Sequence, residues 1–285
     1  SPAWLINRLQ SIGIKPINNI VDITNFILHE TGQPLHAFDA DKIKANSIIV
    51  KSANPGELFT CLDHKEKKLS STDLVICNAT EPMCIAGVYG GLESGVTATT
   101  KNIFLESAWF SPAAIRKTSL QHNLRTDAAT RFEKGVDISN TVNVLKRAAL
   151  LIRELAGGAI SSDIIDMYPA PVEKKTVGLK YHYLKKLSGK NYHSEAVKSI
   201  LQALDFEIMK DNIDELWVSV PHSKPDISLP ADIVEEILRI DGLDNIEIPS
   251  LVQMTPAKDV NGEAIALQEK ISETLTGLGF HEIFT

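Results

Sequence analysis

The chain has 285 residues, of which 44% are hydrophobic and 23% charged, a globular composition that excludes wholesale disorder and a fibrous repeat. The net charge of −7, taken alone, argues against nucleic-acid binding, because phosphate contacts need clustered Lys and Arg. The charge is uneven, however. Residues 1–172 carry 17 basic and 17 acidic side chains, whereas residues 173–285 carry 12 and 19. The acidic excess is therefore a local feature of the second part of the chain.

Cysteine usage and hydropathy narrow the class further. Three cysteines, Cys61, Cys77 and Cys84, show neither disulfide-framework nor zinc-like spacing, which favours reduced, buried thiols in a cytoplasmic protein. No apolar run approaches the roughly 18 residues of a membrane span. The chain starts without Met and ends in an apolar run that is typical of a strand, so we expect a fragment of a longer chain.

The first part of the chain predicts a helix over residues 3–13 from its apolar spacing. Polar side chains then recur within the apolar stretch 17–30, as in a wall that faces a polar group. A turn around Gly32 and Pro34 follows, and we expect it to hold His36 in place.

The middle of the chain alternates β-prone runs with turns, which predicts a sheet. The expected strands cover residues 47–51, 74–77, 84–88 and 102–105. The glycine-rich run 85–91 would let another group approach its backbone closely. Asn140 is the expected N-cap of a long helix that ends before Gly157.

A boundary is expected near residue 172, where Pro169 and Pro171 interrupt the pattern. A short helix, a second helix capped by Ser194, a hairpin and a third helix should follow, in a winged-helix-like arrangement of the kind that binds DNA. Their expected ranges are 183–188, 194–204, 206–209 with 216–220, and 230–241. A further unit, with a helix over 262–278 and then a strand, completes the predicted domains: 1–172, 173–247 and 248–285. The expected class is α/β of the α+β kind, with a mixed sheet in the first domain.

Four carboxylates form the clearest candidate metal site. Asp232, Glu235 and Glu236 share one helix face by their spacing, and Asp226 precedes the same helix. Oxygen ligands of this kind suit Mg²⁺ or Ca²⁺. From spacing alone the favoured interpretation is a solvated acidic face at a helix N-terminus.

Three further features have both a plain and a chemical interpretation. His36 is either a structural residue or a group that orients a water molecule. Glu106, near a strand end, is either a surface residue or an acceptor for a substrate hydroxyl or ammonium group. The polar segment 124–137 is either a salt-bridged loop or one rim of a site for an RNA end. No phosphate-loop, nucleophile-elbow or Cys-x-x-Cys motif is present in the sequence.

Six segments, in this order, resemble the bacterial phenylalanyl-tRNA synthetase beta subunit. They are residues 16–26 (PINNIVDITNF), 32–39 (GQPLHAFD), 85–91 (IAGVYGG), 105–110 (LESAWF), 126–137 (TDAATRFEKGVD) and 225–240 (PDISLPADIVEEILRI). The resemblance spans essentially the whole chain. It implies an internal fragment that contains an editing domain and the module after it.

The resemblance implies hydrolysis of tyrosine mischarged on tRNA(Phe). In that assignment Glu106 accepts the phenol hydrogen, while Ala86, Gly87, Pro34 and Ala128 shape the pocket. The residues expected to position the ester and the attacking water are His36, Thr24, Asn25 and Thr126. Lys15 stands where a basic residue would hold the tRNA end.

The resemblance also implies partners: an alpha subunit that binds ATP and carries the aminoacylation chemistry, two of each subunit in the full enzyme, and tRNA(Phe). The four carboxylates would bind Mg²⁺ at the contact with the alpha subunit, in the cytoplasm. The alternative is a non-catalytic fragment that serves structure, tRNA binding and subunit contact. A nucleic-acid module is a third possibility, but residues 173–225 hold only nine basic against seven acidic side chains.

Overall fold

The computed structural model describes residues 1–248, 250–251, 254–255 and 261–284. The chain forms two units, Ser1–Asn245 and Ile246–Thr285. Within the described ranges, no helix is both long and apolar enough to cross a membrane. The first unit combines helices with several antiparallel sheets, which confirms the expected α/β class. The mixed sheet expected in the first domain is wrong, because each strand pair in the described residues of that domain is antiparallel and the strands form separate sheets.

The elements follow one another along the chain as follows. The helices are α1 (Ala3–Ser11), α2 (Asn19–Thr31), α3 (Pro112–His122), α4 (Asp127–Lys134), α5 (Thr141–Ala156), α6 (Tyr181–Ser188), α7 (Ser194–Ala203), α8 (Pro230–Asp241) and α9 (Gly262–Gly277). The strands are β1 (Leu35–Asp39), β2 (Ile49–Ser52), β3 (Leu58–Thr60), β4 (Glu66–Lys68), β5 (Leu74–Cys77), β6 (Pro82–Ile85), β7 (Tyr89–Gly90), β8 (Ile103–Ser107), β9 (Thr176–Lys180), β10 (Glu207–Asp211) and β11 (Glu215–Ser219).

A helical layer of α1, α2 and α5 surrounds one apolar core. The stretch expected to form a polar-faced wall is the helix α2. The Asn18 side chain caps this helix by accepting a hydrogen bond from the Val21 backbone at 2.9 Å. The helix ends at Gly32, whose φ of 77° strongly favours glycine, and the chain then turns into β1.

The predicted long helix is present as α5, but Asn140 does not cap it with its side chain. Asn140 lies in a preceding 3-10 turn with φ −98° and ψ −5°, whereas an N-capping residue is normally extended. Asp137 provides the cap of that turn instead, by accepting a hydrogen bond from the Ser139 backbone at 2.9 Å.

The antiparallel pair β1–β8 separates two cores. Successive side chains of a strand alternate between faces. One face therefore presents Leu35 and Leu105 to the helical layer, while the other presents Phe38 to a second core. His36 lies two residues from Phe38 and shares its face.

The second core lies between the four-stranded sheet β2–β5–β6–β7 and the helices α3 and α4. The strands predicted over 47–51, 74–77, 84–88 and 102–105 correspond to β2, β5, β6 and β8. Strand β6 ends at Ile85 rather than at residue 88, because the chain turns at Gly87 and Val88 donates a backbone hydrogen bond to Ile85 at 3.0 Å. The three cysteines are buried free thiols, as expected.

The elements from β9 to α8 form a second module within the first unit. In it, α6, α7 and α8 pack against the sheet β10–β11–β9. The helices and the hairpin agree with the sequence. Ser194 does not cap α7 but is its first residue, because the Ala196 and Val197 backbones donate hydrogen bonds to His193. Strand β9 lies at the edge of this sheet and begins just after the segment 169–175, which is rich in prolines and lysines. The winged-helix likeness and the boundary near residue 172 stay predictions.

In the second unit, α9 agrees with the predicted helix. The strand expected after it is absent from residues 280–284, the described part of that segment. A strand needs a hydrogen-bonding neighbour, and the described residues of this unit contain no other strand.

Candidate functional site

Two titratable side chains on neighbouring strands form the centre of the candidate site. His36 of β1 lies directly opposite Glu106 of β8 in the antiparallel register. Directly opposed residues have Cβ atoms about 4.5–5.5 Å apart and point to the same face. The turn at Gly32 and Pro34 ends before Leu35, so the strand, not the turn, places His36.

The His36 ring sits against Phe38 in an edge-on arrangement, with centroids 4.4 Å apart and planes at 76°. Burial lowers the pKa of His36 to about 4, so the imidazole is neutral at physiological pH. Its Nε2 atom is buried and has no hydrogen-bond partner among the described residues. A neutral ring nitrogen of this kind is available to a substrate or to a water molecule.

Burial raises the pKa of Glu106 to about 7. The carboxyl group therefore changes protonation near neutral pH, although the side chain is still partly exposed. Burial also raises the pKa of the Cys84 thiol, and the neighbouring Glu106 charge raises it further. Cys84 is thus an inert thiol beside the carboxyl group, not a nucleophile.

The absence of side chains at Gly90 and Gly87 lets neighbouring side chains pack closely against the backbone of the glycine run. A Cβ atom at Gly90 would lie 3.0 Å from His36 Cε1 and 2.8 Å from Leu62 Cδ1. Gly87 has φ 66°, and a Cβ atom there would lie 2.7 Å from a ring carbon of Phe110. Gly90 therefore faces the candidate site. At Gly87 the side where a side chain would be attached faces the second core.

Thr126 joins helix α4 to the glycine run. Its hydroxyl donates to the Val88 carbonyl at 2.9 Å and accepts from the Ala129 backbone at 3.1 Å. Ala128 packs against the same core, and Ala86 is buried within it. These contacts place Thr126, Ala128 and Ala86 in the support of the glycine run.

The turn before β1 is fixed by a residue that sequence reasoning missed. The Gln33 side chain, which is buried, donates to the Pro34 carbonyl at 3.1 Å and to the Ala108 carbonyl at 2.7 Å. It thereby ties the buried Pro34 to the chain just after β8. A polar residue enclosed between glycine and proline was the available signal.

Thr24, Asn25 and Lys15 are not linked to the His36–Glu106 pair by any hydrogen bond within the described ranges. The Thr24 hydroxyl donates to the Val21 carbonyl of its own helix at 2.9 Å. Lys15 is exposed in the loop between α1 and α2. Their expected roles stay predictions.

The proposed metal ligands are already engaged with protein groups. Asp232 accepts backbone hydrogen bonds from Ser228 at 2.8 Å and Leu229 at 2.7 Å, which lower the pKa of its carboxyl group. Glu236 is held by Arg239 at 2.8 Å and by Lys224 at 2.5 Å.

Asp226 and Glu235 are exposed, and no group of three or more His, Cys, Asp or Glu in the described part of the chain could hold a metal ion. The four carboxylates, as placed, therefore do not fit a Mg²⁺ site. A cation would have to displace two basic side chains and two backbone donors.

Comparison with known proteins identifies the class. Residues 1–157 match the B3/4 domain, and residues 177–243 match the tRNA synthetase B5 domain. The fold and the site thus belong to a B3/4-domain protein in which a B5 domain follows.

The chain belongs to the phenylalanine–tRNA ligase beta subunit family. The beta subunit of Bacteroides thetaiotaomicron is 48% identical over 284 residues, which are 99% of this chain and 35% of that protein. The beta subunit of Carboxydothermus hydrogenoformans is 42% identical over 285 residues, 100% of this chain and 35% of its own length. A solved N-terminal fragment of the Pyrococcus horikoshii beta subunit has a TM-score of 0.40 at 17% identity, over 77% of this chain and 64% of its own. The chain therefore spans about a third of the length of these curated relatives.

Proposed function

We propose that the first predicted domain, residues 1–172, hydrolyses the ester bond of tyrosine mischarged on tRNA(Phe). The observation that carries this proposal is the register pairing of His36 with Glu106. It sets a neutral imidazole with an unpartnered nitrogen beside a carboxyl group that ionises near neutral pH.

Glu106 supplies selectivity. The phenol group of tyrosine donates a hydrogen bond to the carboxylate, whereas phenylalanine would leave a desolvated acceptor unpaired. A site built to hydrogen-bond a hydroxyl rejects the analogue without it far better than an apolar pocket rejects an added hydroxyl.

His36 orients the attacking water. The water oxygen bonds to the ester carbonyl carbon, the bond from that carbon to the ribose oxygen breaks, and a water proton passes to the ribose oxygen. A neutral imidazole can accept the hydrogen bond of such a water. No side-chain nucleophile is required, in keeping with the raised pKa of the Cys84 thiol.

The wider assignments rest on family membership. We propose that the chain works in the cytoplasm as part of a beta subunit that binds tRNA(Phe) and pairs with an alpha subunit, where ATP is bound and aminoacylation takes place. Mg²⁺ at the contact with the alpha subunit remains a prediction from the resemblance, and no step of the proposed hydrolysis uses it.

A non-catalytic role in subunit contact is the second candidate. Asp226, which precedes α8, and Glu235, in the second turn of α8, are exposed carboxylates that support it, because ligands from a partner could complete a site that the four carboxylates do not form by themselves. Mg²⁺ titration with and without the alpha subunit distinguishes a metal-mediated subunit contact from a solvated acidic surface. Binding that appears only with the partner supports the contact, and no binding in either case excludes the metal.

Deacylation of Tyr-tRNA(Phe) tests the proposed hydrolysis. The wild-type chain should release tyrosine, and His36→Ala and Glu106→Ala should each lower the rate by at least about tenfold. Glu93→Ala is the matched control, since Glu93 is an exposed glutamate between the glycine run and β8. Equal rates for wild type and both site variants would refute the assignment.

A further inference from the structure

Leu62 is a large apolar side chain that lies against Gly90, beside the candidate site, on a neighbouring hairpin. It lies in the turn between β3 and β4, and 44% of it is exposed. A Cβ atom at Gly90 would lie 2.8 Å from Leu62 Cδ1 and 3.0 Å from His36 Cε1. Leu62 and His36 are therefore neighbours across a backbone position that carries no side chain.

The backbone holds Leu62 firmly in this position. The Leu62 backbone donates to the Gly90 carbonyl at 3.1 Å, and Leu92 donates to Thr60 at 3.1 Å. Cys61 and Gly91 form a bridge between the same two segments. Leu62 is thus partly exposed at the edge of the site, while hydrogen bonds to the glycine run fix its backbone.

We propose that Leu62 is a positioning residue that covers one side of the His36 imidazole and keeps bulk solvent from that side, leaving the other side to the attacking water. Phe38 supports the ring edge-on, and Gly90 leaves the space that Leu62 and the ring share. The functional consequence, a neutral imidazole ready for water, rests on the proposed ester hydrolysis. The packing itself does not.

The electrostatic surroundings support this role. Burial lowers the pKa of His36, and Leu62 is one of the apolar side chains that lie near the ring. The titratable groups on the adjoining segments are Glu106 on β8, Tyr89 beside Gly90, and Cys61, Asp63, His64 and Lys65 between β3 and β4. Opening the cover would hydrate the ring and move its pKa back towards 6.5.

Titration of the His36 ring by NMR in the full 285-residue chain tests the proposal. In Leu62→Ala the pKa of His36 should rise by one unit or more, whereas Leu62→Met should retain the wild-type value. Leu58→Ala is the matched control, because Leu58 is 65% exposed on β3 of the same hairpin. An unchanged pKa in Leu62→Ala would overturn the proposal, as would an equal shift in Leu58→Ala.

Leu62→Gln keeps the side-chain length and provides a second variant if truncation disturbs the turn. Its polar end should hydrate the ring and raise the pKa as Leu62→Ala does. An unchanged pKa in a folded Leu62→Gln chain would also count against the proposal.

Deacylation kinetics separate this proposal from the proposed function. In Leu62→Ala the rate should fall by up to about tenfold at pH 5 for a rise of one to two units, and should be unchanged at pH 8. A loss that is equal at both pH values would mean that Leu62 acts on the substrate and not through His36. Shifted titration in a chain without hydrolase activity would refute the proposed function and leave the positioning role supported.

Discussion

Replacing Glu106 by Gln removes one of two titrations that oppose each other in the wild-type chain. Burial raises the pKa of Glu106 from 4.5 to about 7, so the folded state retains a proton that the unfolded chain releases. Its stabilisation is complete below pH 4.5 and is lost as the pH rises through 7. Burial lowers the pKa of His36 from 6.5 to about 4, so its contribution is present above pH 6.5 and is lost as the pH falls to 4.

The size of each effect follows from the two pKa displacements. Each displacement corresponds to up to about 3 kcal/mol at about 1.36 kcal/mol per pKa unit. In the wild type the two slopes cancel between about pH 4.5 and 6.5. In Glu106→Gln the free energy of unfolding should rise by up to about 3 kcal/mol from pH 4 to 6.5, and in His36→Gln it should fall by a similar amount from pH 4.5 to 7.

Urea unfolding followed by circular dichroism at half-unit pH steps measures these slopes. Glu93→Gln is the control, since an exposed glutamate should leave the profile parallel to that of the wild type. If Glu106→Gln also runs parallel to the wild type between pH 4 and 7, the carboxyl group is not the desolvated group that the site requires.

Three substitutions and one metal titration test other parts of the structure. Gly87→Ala should lower the free energy of unfolding by about 1–3 kcal/mol, because a Cβ atom would lie 2.7 Å from Phe110. Gly32→Ala should lower the free energy of unfolding by less, because Gly32 has a φ of 77° but open space around it, so that only backbone strain is added. Equal urea midpoints for Gly87→Ala and Gly32→Ala would contradict this reasoning. Asp73→Asn should lose about 1.5–3 kcal/mol in the same assay, since the buried Asp73 carboxylate accepts hydrogen bonds from Thr118 at 2.9 Å and from His122 at 2.7 Å; a loss well below about 1 kcal/mol would show that these bonds contribute little. Calorimetric titration of the chain alone should give no saturable Mg²⁺ binding at micromolar concentration, because Lys224 and Arg239 occupy Glu236; micromolar affinity would contradict this arrangement.

The elements with clean apolar periodicity were predictable from the sequence. Strand β5 and helix α8 have the predicted bounds, because their buried faces are apolar throughout. Helix α2 was not predicted as a helix, because Asp22 interrupts its apolar face. That buried carboxylate accepts hydrogen bonds from Ser1 and from the Ile17 backbone, which local patterning does not show.

The candidate site was only partly predictable. His36 and Glu106 stand out as chemical groups in the sequence, but the register that sets them opposite each other depends on the pairing of two distant strands. The closeness of both Leu62 and the His36 ring to Gly90 also depends on the tertiary arrangement. The spacing of the four carboxylates did not reveal that Lys224, a few residues upstream of α8, would form an ion pair with Glu236.

The ratio of Tyr-tRNA(Phe) to Phe-tRNA(Phe) deacylation, compared between wild type and Glu106→Gln at pH 8, tests the central claim most directly. At this pH the Glu106 carboxyl group is ionised and can accept the phenol hydrogen. The wild-type ratio should exceed that of Glu106→Gln by at least about tenfold, the value of a hydrogen bond to a charged group. The same ratio in both proteins would contradict the account, because selectivity would then arise elsewhere in the pocket.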